Sequence, residues 1–246
     1  MSDDMSTSSP PKVPWSLRDM VAAGITAIIL FGLGVGLLAG AMIAWQMADR
    51  LEPPPSVQAL AVFSLEAILI LPAWLWGPGR YGGGWRILGL RRSLSWGMVE
   101  AALLGLIVVL AINAAWEMVN RYLDLPGQPD VLSFFGGGLG GLCLALLLGG
   151  GVAPLAEEIF FRGYLYAGLR ARWGAGWGMI LSAILFSVVH VFPGVLPPIF
   201  VMGLLFAWLY ERYDSLWPCI LLHSAVNSLA FLFVYLAERF PQLLGS

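Results

Sequence analysis

Charged residues are scarce in this chain: Asp, Glu, Lys and Arg make up 11% of its 246 residues, whereas 59% are hydrophobic. Soluble domains contain about a quarter charged residues, so this composition excludes an ordinary soluble domain. The mean hydropathy of +0.82 agrees with that exclusion. We therefore expect a protein that crosses the cell membrane several times.

Cysteine and clustered basic residues are scarce too. Cys143 and Cys219 both lie in apolar runs, where we expect them to fill space, because they offer neither a disulfide framework nor a paired-cysteine zinc spacing. A net charge of -2 without a broad basic patch argues against nucleic acid as a partner. Residues 1–19 lack the features of a signal peptide, and we predict a disordered cytosolic tail there, followed by one transmembrane domain over 20–246.

Apolar stretches of about 20 residues, the length that crosses a bilayer as a helix, recur along the chain. The stretch 173–210 contains no Asp, Glu, Lys or Arg, but it is too long for one span and is divided at Pro193-Gly194 and Pro197-Pro198. The sequence therefore predicts an all-α bundle of seven spans, or eight if 125–137 or 157–172 also crosses. The predicted spans are 20–48, 57–76, 96–116, 139–156, 175–192, 197–211 and 217–237.

Basic residues are distributed unevenly between the two sides of this predicted bundle. Ten of the 13 Lys and Arg residues fall on the side of the N-terminal tail, and three, Arg50, Arg121 and Arg239, fall on the other. Because Lys and Arg accumulate in cytoplasmic loops, we predict a cytosolic N-terminus and an exterior C-terminus.

A few ionisable and amide side chains occur inside the apolar stretches, where a charge costs several kcal/mol. They form three short motifs within a core that we place at about 139–237. The motifs are Glu157-Glu158 with Arg162, Phe186 with His190, and His223 with Asn227. A further acid, Glu66, lies in the second predicted span, where a structural acid is the favoured interpretation and a cavity-lining acid the alternative.

The residue types in these motifs predict hydrolysis of an acyl bond. Glu158 and Arg162 share a helix face and favour an ion pair at a helix end, which leaves Glu157 free for another role. A carboxylate in a low-dielectric cavity beside His190 is suited to activate water. His223 and Asn227 carry donors of the kind that stabilise an oxyanion. A peptide is the obvious substrate.

Two points stay open at this stage. The predicted boundaries put Glu157 near the cytosolic edge and His190 toward the far end of its span, so their depths disagree. The same residues also permit a zinc site made of Glu157, His190 and His223, although no His-Glu-x-x-His helix is present and direct activation of water is favoured.

Two other classes of function also fit buried Glu and His residues. A proton-coupled transporter would use them as a relay, but such carriers usually show repeat symmetry, and none is visible in this sequence. A non-catalytic scaffold or immunity protein would bind a partner with the same fold. Such a protein would be expected to have lost some of the motif residues, and this chain has kept all of them.

The three motifs resemble those of the CPBP family of intramembrane proteases, the CAAX-processing and bacteriocin-processing group also called Abi proteins. The family pattern is Glu-Glu-x-x-x-Arg, then Phe-x-x-x-His, then His-x-x-x-Asn or Asp. It is matched in order within about 154–227, roughly a third of the chain.

This resemblance implies a helical bundle around a water-filled cavity, with membrane lipid and a membrane-associated protein or peptide as partners. It implies that Glu157 and His190 activate water and that His223 and Asn227 stabilise the oxyanion, with Glu158, Arg162 and Phe186 in support. The family has been described both as metalloproteases and as glutamate-dependent, so a mechanism without a cofactor and one with a divalent metal such as zinc are both implied. Eukaryotic members cleave prenylated proteins, and a CAAX-type substrate is one candidate.

Overall fold

Helices account for most of the described residues, and none of those residues forms a strand. A computed structural model describes residues 13–49, 54, 57, 66–91, 93–126, 132–240 and 242. The prediction of an all-α fold is confirmed. The first part of the chain forms α1 (Leu17–Asp49), α2 (Ile70–Trp76), α3 (Pro78–Tyr81), a 3-10 turn (Gly84–Leu88) and α4 (Trp96–Leu123).

The second part of the chain holds the motifs and contains two stretches of π-helix. After a 3-10 turn (Leu132–Phe135), a nearly continuous helical path runs as α5 (Gly138–Leu147), the first π segment (Leu148–Val152), α6 (Ala153–Glu158), the second π segment (Ile159–Tyr166) and α7 (Ala167–Val188). Two further helices follow, α8 (Leu196–Tyr213) and α9 (Trp217–Arg239).

By length and composition, four helical runs among the described residues are able to cross a membrane: Leu17–Ala48, Trp96–Leu123, Gly138–Val188 and Trp217–Arg239. The predicted count of seven or eight spans is therefore not established and stays a prediction. Residues 58–65 of the second predicted span, 57–76, lie outside the described residues.

The structure differs from the prediction at residue 156, where the sequence placed the end of a span. The helical path continues through α6 and the second π segment into α7, so residues 157–172 belong to the same path as α5. The Glu158–Arg162 pair accordingly lies within this path and is fully buried, not at a helix end.

Gly174 breaks α7 and reverses the chain. Its φ of 81° and ψ of 170° are not helical. Beyond it the chain packs back on the preceding helix, because the Ser182 hydroxyl donates to the Phe161 carbonyl oxygen at 3.3 Å and the Phe186 ring lies 5.1 Å from that of Phe161. Residues 138–173 and 175–188 therefore form a helical hairpin.

The part of the predicted tail that the structure describes packs against the bundle. Trp15 is buried, its ring stacks on Tyr164 at 5.0 Å, and its Nε1–H donates to the Tyr164 carbonyl oxygen. Asp19 is also buried, and it accepts a hydrogen bond from the Tyr81 hydroxyl and pairs with Arg80. Residues 1–12 of the predicted tail lie outside the described residues.

The reversal at Gly174 gives a stability prediction with a matched control. Gly174→Ala should lower the free energy of unfolding by about 1–3 kcal/mol, because this backbone conformation is strained for any residue with a Cβ atom. Gly176→Ala should be neutral or stabilising, since a Cβ there meets no other atom and its φ is not positive. Thermal unfolding in detergent compares the two, and equal melting temperatures would contradict the strained turn.

Candidate active site

A cavity of about 570 Å³ lies between α4, α6, α8 and α9 and the end of α7. Much of its wall is apolar, as is common for pockets that hold a small number of placed polar groups. Those polar groups come from five separate segments of the chain. They are Glu66, Asn113, Glu157, His190, His223 and Asn227.

The hairpin at Gly174 brings Glu157 and His190 to the same level. Glu157 precedes Gly174 by 17 residues and His190 follows it by 16, so antiparallel packing places the two opposite one another. Both line the cavity. The mismatch in depth that the predicted span boundaries suggested is thus removed, because the helical path continues past residue 156 and folds back at Gly174.

Glu157 faces the cavity, whereas its neighbour Glu158 points into the protein. One carboxyl oxygen of Glu157, Oε2, is buried and has no hydrogen-bond partner among the described residues. The Glu157 carboxyl lies within electrostatic range of His190 and Glu66. A carboxyl oxygen that is buried without a donor is available to bind water or a proton.

His190 is oriented by a hydrogen bond to its own helix. Its Nδ1 lies 2.8 Å from the Phe186 carbonyl oxygen. Because a carbonyl oxygen only accepts, Nδ1 carries the proton, and in the neutral ring Nε2 is an acceptor. Directly after His190, the Phe192 N–H donates to the His190 carbonyl oxygen at 2.7 Å, in a tight turn through Val191 with a φ of 53°.

Glu158 joins two helices through one oxygen atom. Its Oε1 accepts a hydrogen bond from Arg162 Nη1 at 2.9 Å and lies 2.8 Å from His223 Nδ1. The side chains of Glu158 and Arg162 are 0% exposed, and His223 is buried as well. Since Nδ1 donates to this carboxylate, the other ring nitrogen, Nε2, is the one left for the cavity, and it is a donor only when the imidazole holds both protons.

Phe186 packs between these polar groups. Its ring lies 5.0 Å from the His190 ring and 5.8 Å from the His223 ring. The Arg162 guanidinium carbon lies 4.0 Å above the Phe186 ring and 4.8 Å above that of Phe206, which is a cation–π arrangement. Phe206 also stacks on His223 at 5.0 Å, so aromatic rings fix both imidazoles and the cation.

Asn227 follows His223 by one turn of α9 and lines the same cavity. Its Nδ2 donates a hydrogen bond to the Gly149 carbonyl oxygen, in the first π segment, at 3.1 Å. An amide nitrogen has two N–H groups, so this bond leaves one N–H of Asn227 for another acceptor.

Glu66 is the cavity residue that the sequence analysis did not favour as part of the site, since it preferred a structural acid to a cavity-lining one. It lines the cavity within range of Glu157, and its Oε2 is buried without a partner among the described residues. The only signal in the sequence was a lone acid within an apolar span, which does not reveal what the acid faces.

The zinc alternative requires Glu157, His190 and His223 to gather around one point. Within the part of the chain that the structure describes, no group of three or more His, Cys, Asp or Glu side chains is arranged to hold a metal ion. The residues present do not fit a metal in this arrangement, and we derive no step through one.

Comparisons with known proteins agree with the motifs. The family described as "Type II CAAX prenyl endopeptidase Rce1-like" matches residues 139–229, which contain all seven motif residues. The chain is 27% identical over 140 residues to the UPF0177 protein YxdF of Lactococcus lactis subsp. lactis, covering 56% of this chain and 73% of that protein.

A second relative is a Bacillus subtilis protein described as "Putative membrane peptidase YdiL". It is 29% identical over 85 residues, and the match covers 35% of each chain. No solved structure matches the chain at a significant level. The predicted resemblance to the CPBP family is confirmed, and at the level of the family these findings support an intramembrane protease.

The buried Glu158–Arg162 pair gives a stability test, because the chain also contains an exposed pair at the same spacing, Glu117 with Arg121. Arg162→Met should lower the free energy of unfolding by about 3–5 kcal/mol, since it removes the cation partner of a buried carboxylate. Arg121→Met should change it by less than about 1 kcal/mol. Thermal unfolding in detergent measures both.

A double variant separates the charge from the packing. Arg162→Met with Glu158→Gln removes both charges of the pair, so it should have a higher melting temperature than Arg162→Met alone. If Arg162→Met and wild type had the same melting temperature, the ion pair would not stabilise the fold.

Proposed function

We propose that this chain is an intramembrane endopeptidase that hydrolyses a peptide bond of a membrane-associated protein. The observation that carries the proposal is the cavity itself, because Glu157, His190, His223 and Asn227 line one space within an apolar helical bundle. Each brings a group that hydrolysis requires, and the motif region is the part that matches the Rce1-like family.

Attack begins with a water molecule held between Glu157 and His190. Its hydrogens point to the Glu157 carboxylate and to His190 Nε2, which is an acceptor because Nδ1–H is bonded to the Phe186 carbonyl oxygen. As the water oxygen bonds to the carbonyl carbon of the substrate, Glu157 takes the proton. General-base catalysis of this kind contributes about 10²–10⁴-fold in rate.

The carbonyl oxygen of the substrate becomes an oxyanion in this step and requires hydrogen-bond donors. The remaining N–H of Asn227 and the Nε2–H of His223 provide them. His223 then acts as an imidazolium, and the carboxylate of Glu158 that receives its Nδ1–H supports that charge.

The tetrahedral intermediate collapses when the C–N bond breaks. Glu157, which now carries the proton from water, gives it to the leaving amine nitrogen, and the carbonyl re-forms as a carboxylic acid. Glu157 returns to its carboxylate form, so one residue acts as base and then as acid, and atoms and charges balance without a covalent intermediate.

The substrate is a peptide segment that reaches a cavity within the bilayer. The matching family is described as a "CAAX prenyl endopeptidase", so a CAAX-type substrate is one candidate for this chain. With the predicted cytosolic N-terminus, the juxtamembrane or C-terminal part of a cytosolic or membrane protein is the segment to test.

Cleavage by the purified protein in proteoliposomes tests the proposal. A fluorogenic peptide ending in Cys-a-a-X is offered in two forms, one farnesylated and one without lipid, beside a reporter with a single membrane span. Glu157→Gln and His190→Ala should lower kcat by about 10²–10⁴-fold, because each removes part of the water-activating pair. Asn227→Ala should lower it by about 10²–10³-fold through the loss of an oxyanion donor.

Glu100→Gln is the control, since Glu100 is an exposed acid at the start of α4. This variant should cleave the substrates as fast as wild type does. A strong chelator in a parallel reaction separates metal-free from metal-dependent cleavage. The proposal fails if wild type cleaves none of the three substrates, or if all the cavity variants retain full turnover.

A further inference from the structure

The Gly149 carbonyl oxygen accepts a hydrogen bond from Asn227 Nδ2 at 3.1 Å, and the register of its own helix explains why it is available. In the first π segment, the Ala153 N–H donates to the Leu148 carbonyl oxygen, five residues earlier. The same spacing assigns the next N–H, that of residue 154, to Gly149. Residue 154 is a proline, which has no N–H.

We propose that Pro154 is a positioning residue for the reaction: by leaving the Gly149 carbonyl without a main-chain donor, it holds the Asn227 amide with its second N–H facing the cavity. This inference rests on the proposed function. Pro154 contacts no reacting atom in that scheme, so it acts only through Gly149 and Asn227.

Three features of the wall support this assignment. A buried carbonyl oxygen without a partner is unfavourable, so the free Gly149 carbonyl attracts a side-chain donor. Gly149 and Asn227 both line the cavity, so their bond lies at its surface. Gly149 is also two helical turns before Glu157, with Ala153 between them, and all three face the cavity. One wall therefore carries both the proposed base and the acceptor that fixes an oxyanion donor.

Close contact between the π segment and α9 keeps this bond short. A Cβ atom at Gly150 would lie 2.5 Å from Ser228 Oγ and 3.5 Å from Ser228 Cβ. The first distance is too short for a real contact, whereas the second is an ordinary one. A side chain at residue 150 therefore displaces the Ser228 hydroxyl, either by rotating it or by pushing Ser228 and its neighbour Asn227 away from the π segment. Removal of the hydroxyl relieves this contact.

Pro154→Ala is the direct test. It restores an N–H that competes for the Gly149 carbonyl, so we expect kcat for the fluorogenic peptide to fall about 10-fold or more while KM changes less than about twofold. The melting temperature should stay the same or rise, because alanine is the better helix residue. A merely structural proline would instead give a lower melting temperature, or no change in kcat.

Pro218→Ala is the matched control. Pro218 is the second residue of α9, where the N–H has no helical partner in any case, so kcat should not change. An equal fall in kcat for both proline variants would overturn the assignment.

Variants at Gly150 test the Asn227–Gly149 hydrogen bond through the contact between the π segment and Ser228 of α9. Gly150→Ala should lower kcat, and the double variant Gly150→Ala with Ser228→Ala should restore it, because only the ordinary 3.5 Å contact then remains. Gly151→Ala is the control, since the nearest atom to a Cβ there is 3.7 Å away. Absence of rescue in the double variant would count against the inference.

A readout without turnover separates this inference from the proposed function. The chain has three asparagines, Asn113, Asn120 and Asn227, so selective ¹⁵N-asparagine labelling gives three side-chain amide pairs in an NMR spectrum. Asn227→Asp identifies its pair. We expect one proton of that pair to exchange slowly in wild type, and both to exchange fast in Pro154→Ala.

The cleavage assay and the amide spectrum have distinct outcomes. If wild type cleaves no substrate, the proposed function fails, and the amide spectrum alone decides whether Pro154 sets the Asn227 bond. If Pro154→Ala releases the amide but cleaves as fast as wild type, the bond has no role in turnover and the inference is overturned.

Discussion

The carboxylate of Glu158 is the contact on which the rest of the site depends. A single oxygen receives Arg162 from the same helical path and His223 from α9. A charge within an apolar bundle is stabilised by a partner, so the three side chains support one another. Because this contact fixes the rotation of α9, it also decides that the face carrying His223 and Asn227 is turned to the cavity.

Sequence spacing predicted the parts of the site that lie within one helix. Because residues four apart share a helix face, the spacing predicted that Glu158 lies beside Arg162 and His223 beside Asn227. It also predicted that Glu157 points to a different face of its helix. The spans were harder to predict, because apolarity was the criterion and the charges at 157, 158 and 162 interrupted it. The helix in fact carries these charges inside the protein, where their partners come from the fold and not from neighbouring sequence.

The relations between segments could not be read from spacing. The meeting of Glu157 and His190 depends on the exact place of the reversal, at Gly174, and on the helix that continues past residue 156, where the prediction had ended a span. The bond from Asn227 to Gly149 depends on a change of helical register near Pro154, and the place of Glu66 depends on packing across the cavity. Each is a tertiary or backbone effect that leaves little mark on composition or periodicity.

Several departures from regular structure lie beside the cavity. The two π segments flank α6, which carries Glu157 and Glu158, and the positive φ of Val191 follows His190 directly. Irregular backbone and buried carboxyl oxygens without donors both cost stability, and apolar side chains in their place would cost less. A scaffold that only holds helices together has no use for them. They are understandable if the cavity has to bind water and hold a developing charge, because such a site needs acceptors and donors that the protein itself leaves unused.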